Sequence, residues 1–204
     1  MIIDDETHKL SKDNFIQQGT KKTRIIIGNS FTSGMKHCIG WVNRWNGNYT
    51  KTAMFTIDIK GKVFQHFSPI YFSNFLGDEK LKESSITILL ENEGWLTKDL
   101  SDENKYINYI GHIYNRKDSV FEKRWRNHTY WAPYTNKQEE SLYNLVKELC
   151  NEFDIPLKVI PHNTNFYDAY DYEGVLYRSN FDKHHTDISP AWDCLSFKNK
   201  IELN

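Results

Sequence analysis

Three observations predict an α/β fold in which a central β-sheet is flanked by helices. Two short apolar runs, residues 24–27 and Ser85–Leu90, are rich in β-branched side chains, and the second is apolar enough to read as a strand buried on both faces. Residues 51–67 carry a hairpin pattern. Residues 135–153 carry a capped, amphipathic helix pattern.

Taken in chain order, residues 1–22 form a polar N-terminal segment with a short helix expected over 11–18, and residues 23–204 are read as a single domain. The run Arg24-Ile25-Ile26-Ile27 is followed by Gly28-Asn29-Ser30, a strand that ends in a loop of the kind that often carries a site. Trp41 and Trp45 are spaced to share one helical face, read first as core packing and second as a groove wall. In the hairpin, Ala53, Phe55, Ile57 and Ile59 alternate with Met54, Thr56 and Asp58. Lys60-Gly61 supplies the turn before Val63-Phe64-Gln65-His66-Phe67. Thr135 and Gln138 stand three apart as a capping box, and Leu142, Leu145, Val146, Leu149 and Phe153 recur at helical spacing. Pro156 stops that helix, residues 157–160 read as one more strand, and 161–192 read as long ordered loops.

A chain of 204 residues buries a sizeable core without staples. Lys+Arg 26 against Asp+Glu 27, a formal charge of -1, leaves no basic block for duplex nucleic acid. Cys38, Cys150 and Cys194 are an odd, widely spaced set without a Cys-x-x-Cys pair, so reduced thiols are expected. No apolar run is long enough for a membrane span and the N-terminus lacks a signal-peptide core, so a cytoplasmic location and no membrane partner are expected. Oligomeric state is left open. The 15% aromatic content fills a core or lines a stacking groove, and composition does not choose between them.

The order of these pieces resembles the type 2 N-acetylmuramoyl-L-alanine amidases, which include peptidoglycan recognition proteins and phage amidase-lysozymes. The pieces are Ile25-Ile26-Ile27-Gly28-Asn29-Ser30, the hairpin with Asp58-Ile59-Lys60-Gly61-Lys62-Val63, Ser85-Ile86-Thr87-Ile88-Leu89-Leu90-Glu91-Asn92, the helix opened by Thr135, and His185-Thr186-Asp187-Ile188-Ser189-Pro190. The resemblance implies a mixed central sheet flanked by helices, spanning roughly residues 21–197. It also implies a zinc held by two His and one Asp or Cys, with a water in the fourth position.

Carried over residue by residue, the family's first His falls on Gly28, with Asn29 beside it, and the second falls near Tyr177-Arg178. Asp187 keeps the third position, His185 stands where a Lys would be, the Tyr-His pair of the second strand falls on Ala53-Met54, and the Glu of the third strand falls on Leu89. The expectation is therefore a non-catalytic chain without catalytic residues or cofactor. Its groove would bind a small ligand through Asn29, Met54, Tyr177, Arg178, His184, His185 and Asp187, with Trp41 and Trp45 as walls.

Two ligand classes fit such a floor: a muropeptide, or a phosphorylated nucleotide signal sequestered by a phage protein in the host cytoplasm. The plain role for Arg178 is an ion pair with Asp171 or Asp182. One alternative is an active peptidoglycan amidase with a relocated zinc, taking nitrogen ligands from His37, His66, His184 or His185, with His184, His185 and Asp187 the first set. The other alternative is a phage structural or partner-binding protein.

Overall fold

A computed structural model describes residues 1–102, 104–116, 120–161, 167–181 and 184–203. Six strands form the main sheet: β1 (Ile3–Asp4), β2 (Arg24–Asn29), β3 (Phe55–Ile57), β4 (Val63–Gln65), β5 (Ser85–Leu90) and, late in the chain, β10 (Gly174–Tyr177). Their order is β1-β4-β3-β5-β2-β10. The sheet is mixed. β3, β5, β2 and β10 run parallel, β4 pairs antiparallel with β3, and β1 joins β4 parallel at the edge.

Burial explains the sequence pattern. β2 and β5 lie inside the sheet with every residue buried, which is why both read as continuous apolar runs rather than as alternation. The β3–β4 hairpin turns where Asp58 accepts hydrogen bonds from the Lys60 and Lys62 amides at 2.9 and 2.8 Å. Gly61 there has φ +81, and a Cβ would stand 2.7 Å from the Lys137 carbonyl, so glycine is what lets the turn lie against the next helix.

Four helices accompany the strands: α1 (Lys36–Asn43), α2 (Glu79–Ser84), α3 (Asn136–Phe153) and α4 (Cys194–Glu202). α3 opens with the full capping box between Thr135 and Gln138, and buries Leu142, Leu145, Val146 and Leu149. α4 adds Phe197 and Ile201 to the same core.

Several sequence expectations are corrected here. A second, antiparallel sheet of order β7-β6-β9-β8 is built from β6 (Trp95–Lys98), β7 (Tyr106–Asn108), β8 (Phe121–Trp125) and β9 (His128–Trp131), with a small core of its own around Leu96, Tyr114 and Ala132. Residues 161–192 are not loop throughout, because β10 lies within them. The strand expected at 157–160 is reduced to a single bridge from Val159 to Val175. The helix expected at 11–18 is one short turn, Lys12–Asn14. Trp45 does not share a helical face with Trp41: α1 ends at Asn43, Arg44 is extended, and Trp45 has φ 52.

Candidate functional site

The parallel strands β2, β5 and β10 end at one edge of the sheet, where open α/β folds place their ligands. A cavity of about 380 Å³ lies there, between the end of β2 and helix α1. Asn29 and Leu89 belong to its floor, Arg178 and Phe75 to one side, and His37 and Trp41 of α1 to the other.

The floor is closed around Gly28. A Cβ on Gly28 would stand 2.6 Å from Asp187 Oδ2, 3.4 Å from Leu89 Cδ2 and 3.6 Å from Arg178 Cδ, so no side chain fits unless these groups move. Asp187 is fully buried, accepts from the Asn29 amide at 3.2 Å, and pairs with Arg178 Nη1 at 3.6 Å. Arg178 also lies over the Phe75 ring at 4.8 Å. Its partner is thus Asp187. Asp171 is engaged by Lys80 at 2.5 Å, and Asp182 lies outside the described residues.

Struts hold this arrangement. The Tyr134 hydroxyl donates to Asn29 Oδ1 at 2.9 Å and accepts from the Ser189 amide at 3.1 Å, and burial pushes that phenol well above its ordinary pKa. Arg126, between β8 and β9, donates to the Ser179 carbonyl at 2.8 Å and also to that of His185, tying the second sheet to the Asp187 loop.

Of the residues expected to form the site, Asn29, Trp41 and Arg178 line the cavity and Asp187 stands directly behind it. His185 lies on the far side of Arg178, in a smaller pocket of about 210 Å³, with Nδ1 3.8 Å from Asp187 Oδ1. Met54 and Tyr177 point into the core, 1% and 0% exposed. His184 and Trp45 are exposed at the surface. Sequence reasoning missed Lys36, Arg44 and Lys51, which line the cavity. Their signal in the sequence is weak, since each lies beyond the end of a strand or at a helix end.

A second group meets the cavity through His37. The ligand atoms of His37, Cys38 and His66 lie within 4.8 Å of one another and all three residues are buried. His66 Nδ1 is 2.9 Å from the His8 carbonyl, which only accepts, so Nδ1 carries the proton and Nε2 is free to accept. Thr56 Oγ1 stands 2.8 Å from that Nε2 and 3.1 Å from His37 Nε2, while His37 Nδ1 meets Thr32 Oγ1 at 3.1 Å. Trp41 packs edge-on against both imidazoles, at 4.9 and 5.2 Å.

Burial, reinforced by the neighbouring His66 and His8, holds the His37 pKa at about 3, and burial holds His66 at about 4, so both rings are neutral. Burial pushes the Cys38 thiol up to about 12. Neutral imidazoles suit a metal, and an Nδ1–H fixed on a carbonyl is the support that metal-binding histidines ordinarily have. The thiol would have to give up its proton to the incoming ion.

Comparison with solved structures finds the same fold in amidases and endolysins. A mutant endolysin from Bacillus subtilis superposes with a TM-score of 0.58 at 16% identity, covering 98% of this chain and 99% of its own. The N-acetylmuramoyl-L-alanine amidase LysC from Clostridium intestinale gives 0.55 at 12%, covering 98% and 97%. The amidase AmiD from E. coli, in complex with the substrate anhydro-N-acetylmuramic acid-L-Ala-D-gamma-Glu-L-Lys, gives 0.57 at 13%, covering 96% of this chain and 66% of its own.

The fold is that of the type 2 N-acetylmuramoyl-L-alanine amidases. No family model matches the sequence, and no curated protein does.

The resemblance implies a zinc in this amidase fold, and three sets of residues can be tested for it. The positions carried over from the family do not fit. Gly28 has no side chain and no room for one, and Arg178 sets a cation against Asp187. The set His184, His185 and Asp187 does not gather as one ligand group among the described residues, whereas His37, Cys38 and His66 do, with the His and Cys donors that zinc favours.

The expectation of a chain without enzymatic chemistry is corrected accordingly. The matched structures are amidases and endolysins, and the described residues hold a metal-competent group in which Cys38 joins His37 and His66, two of the histidines named for a relocated zinc. No helix among the described residues is long and apolar enough to cross a membrane.

Proposed function

We propose that the chain is a peptidoglycan-directed amide hydrolase whose metal centre has moved from the strand end to the α1 side of the cleft. One observation carries this reading: His37 belongs both to the His37–Cys38–His66 group and to the lining of the cavity, so a metal-ligand set adjoins the place where a ligand would lie. The amidase fold and the muropeptide held by AmiD supply the substrate class.

In this reading Arg178, Lys51 and Arg44 hold the carboxylates of a muropeptide, and Trp41 shields the imidazoles from bulk water. The His8 carbonyl fixes the His66 tautomer so that Nε2 faces the group. A zinc there would supply a Lewis acid for the amide carbonyl and an activated water.

The test is metal analysis of the purified protein together with mass spectrometry of peptides released from cell wall. About one zinc per chain, with cleavage lost in His66→Ala, is expected. Absence of both metal and cleavage overturns the reading.

The charge of the cavity favours a second occupant, a phosphorylated nucleotide in place of the muropeptide. Aromatic rings beside cations suit a base and its phosphate.

A further inference from the structure

The cavity is strongly cationic in a chain that is nearly neutral. Lys36, Arg44, Lys51 and Arg178 line it, and no Asp or Glu does among the described residues, although the chain carries 27 acidic against 26 basic side chains. His37 adds no charge, being held neutral by burial. Arg44 spends one N–H on the Tyr49 hydroxyl at 3.4 Å, and among the described residues Arg178 alone of these cations is paired with a carboxylate, Asp187 behind the cavity. Lys36, Arg44 and Lys51 set like charges around about 380 Å³ while Arg178 shares its own with Asp187, and an anion of more than one charge relieves their repulsion better than a single carboxylate does.

A second, independent observation points to a ligand. Asn29 is 2% exposed and lines the same cavity. Its Oδ1 is taken by Tyr134, while its Nδ2 is buried without a hydrogen-bond acceptor among the described residues. A buried donor left in this state opposes folding, and an acceptor oxygen brought to it by a ligand would remove that cost.

We propose that this cavity recognises a phosphate group on its ligand, with Lys36, Arg44, Lys51 and Arg178 as the cations and Asn29 Nδ2 as the neutral donor. The inference deepens the proposed function by naming what the occupant must carry, and rests on that reading only for the location of the cleft. Phosphate could arrive on a nucleoside or on a muramoyl peptide. The lining is rich in aromatic side chains, the 47% exposed Tyr109 among them, which suits the former and makes a nucleoside diphosphate the first probe.

The experiment is calorimetric titration of the intact protein with four probes: a nucleoside diphosphate, its unphosphorylated nucleoside, a muramoyl peptide phosphate and the unphosphorylated muramoyl peptide. The phosphorylated member of at least one pair is expected to bind more than about tenfold tighter than its counterpart, a gap that shrinks as salt rises. The pair showing the larger gap identifies the source of the phosphate. In the double variant Arg44→Gln/Lys51→Gln, at two exposed positions whose replacement leaves the core intact, that preference is expected to fall about tenfold or more.

Equal binding within both pairs, or no binding by any probe, overturns the phosphate site. So does a preference that the double variant leaves unchanged. Cleavage of unphosphorylated cell wall by the same preparation would show that the amidase reading survives that failure.

Discussion

Arg178 and Asp187 form an ion pair of 3.6 Å across the end of the sheet, with Asp187 fully buried and the Arg178 side chain 23% exposed. The resemblance to the amidase family implies that these two positions share a metal. Here the guanidinium takes the metal's part as the positive charge that satisfies the carboxylate. Breaking the pair from one side leaves a buried charge, whereas neutralising both sides does not.

Arg178→Gln is therefore expected to destabilise the fold by about 2 kcal/mol, at the low end for a buried pair because the arginine is partly solvated and the contact is long. Arg178→Gln combined with Asp187→Asn is expected to recover much of that loss. Urea unfolding of the two single variants and the double variant measures the coupling, and strictly additive effects would show that the pair is not the reason for either residue.

Gly28→Ala tests the closed floor. Its Cβ would come within 2.6 Å of Asp187 Oδ2, so overpacking of about 1–3 kcal/mol is expected, read as a lowered urea midpoint. A neutral or stabilising Gly28→Ala would mean that the carboxylate is not where the structure places it.

Much of the fold was legible in the sequence because its signals are local. β5 is buried along its whole length and the start of β2 was read correctly. The hairpin turn and the Thr135 capping box were also read as they stand. The second sheet was not legible: β8 is exposed at four of its five residues, so no hydrophobic alternation marks it. β10 offers four residues inside a polar stretch, and it is a strand because β2 was waiting to pair with it. At the site, Asn29, Trp41 and Arg178 could be named from the resemblance. His37 and His66 were among the histidines open to a relocated zinc, but their grouping with Cys38 could not be read, since α1 and the end of β4 are brought together only by the tertiary fold.

Thr135 does more than cap α3. Its hydroxyl accepts from the Gln138 amide at 3.1 Å and donates to the Ile59 carbonyl at 2.9 Å, joining the helix to the hairpin turn. Thr135→Ala is expected to cost about 1–2 kcal/mol in thermal or urea unfolding, and Thr135→Ser much less.

Lys22 gives the fold a pH dependence. It is 2% exposed, donates to Thr20 Oγ1 at 2.7 Å and to the Glu83 carbonyl at 2.8 Å, and burial lowers its pKa from 10.5 to about 8. Between those two values the unfolded chain holds the proton that the folded chain has released, so this residue makes stability rise with pH across that window and opposes folding below it. Comparing Lys22→Met with the parent at pH 8 and pH 9.5 should show the parent gaining stability on the variant as pH rises, by at most about 1.4 kcal/mol per pH unit. A constant difference would contradict the assignment.

The proposed metal site is His37, Cys38 and His66, away from the strand-end positions that the resemblance implies. Cobalt(II) titration followed in the near ultraviolet tests it most directly, because the thiolate-to-metal band arises only if Cys38 surrenders its proton and ligates. The expected band saturates at one cobalt per chain, is displaced by zinc, and is absent in Cys38→Ser while circular dichroism shows that variant folded. A folded parent protein that binds no cobalt, or one whose band survives in Cys38→Ser, would contradict it.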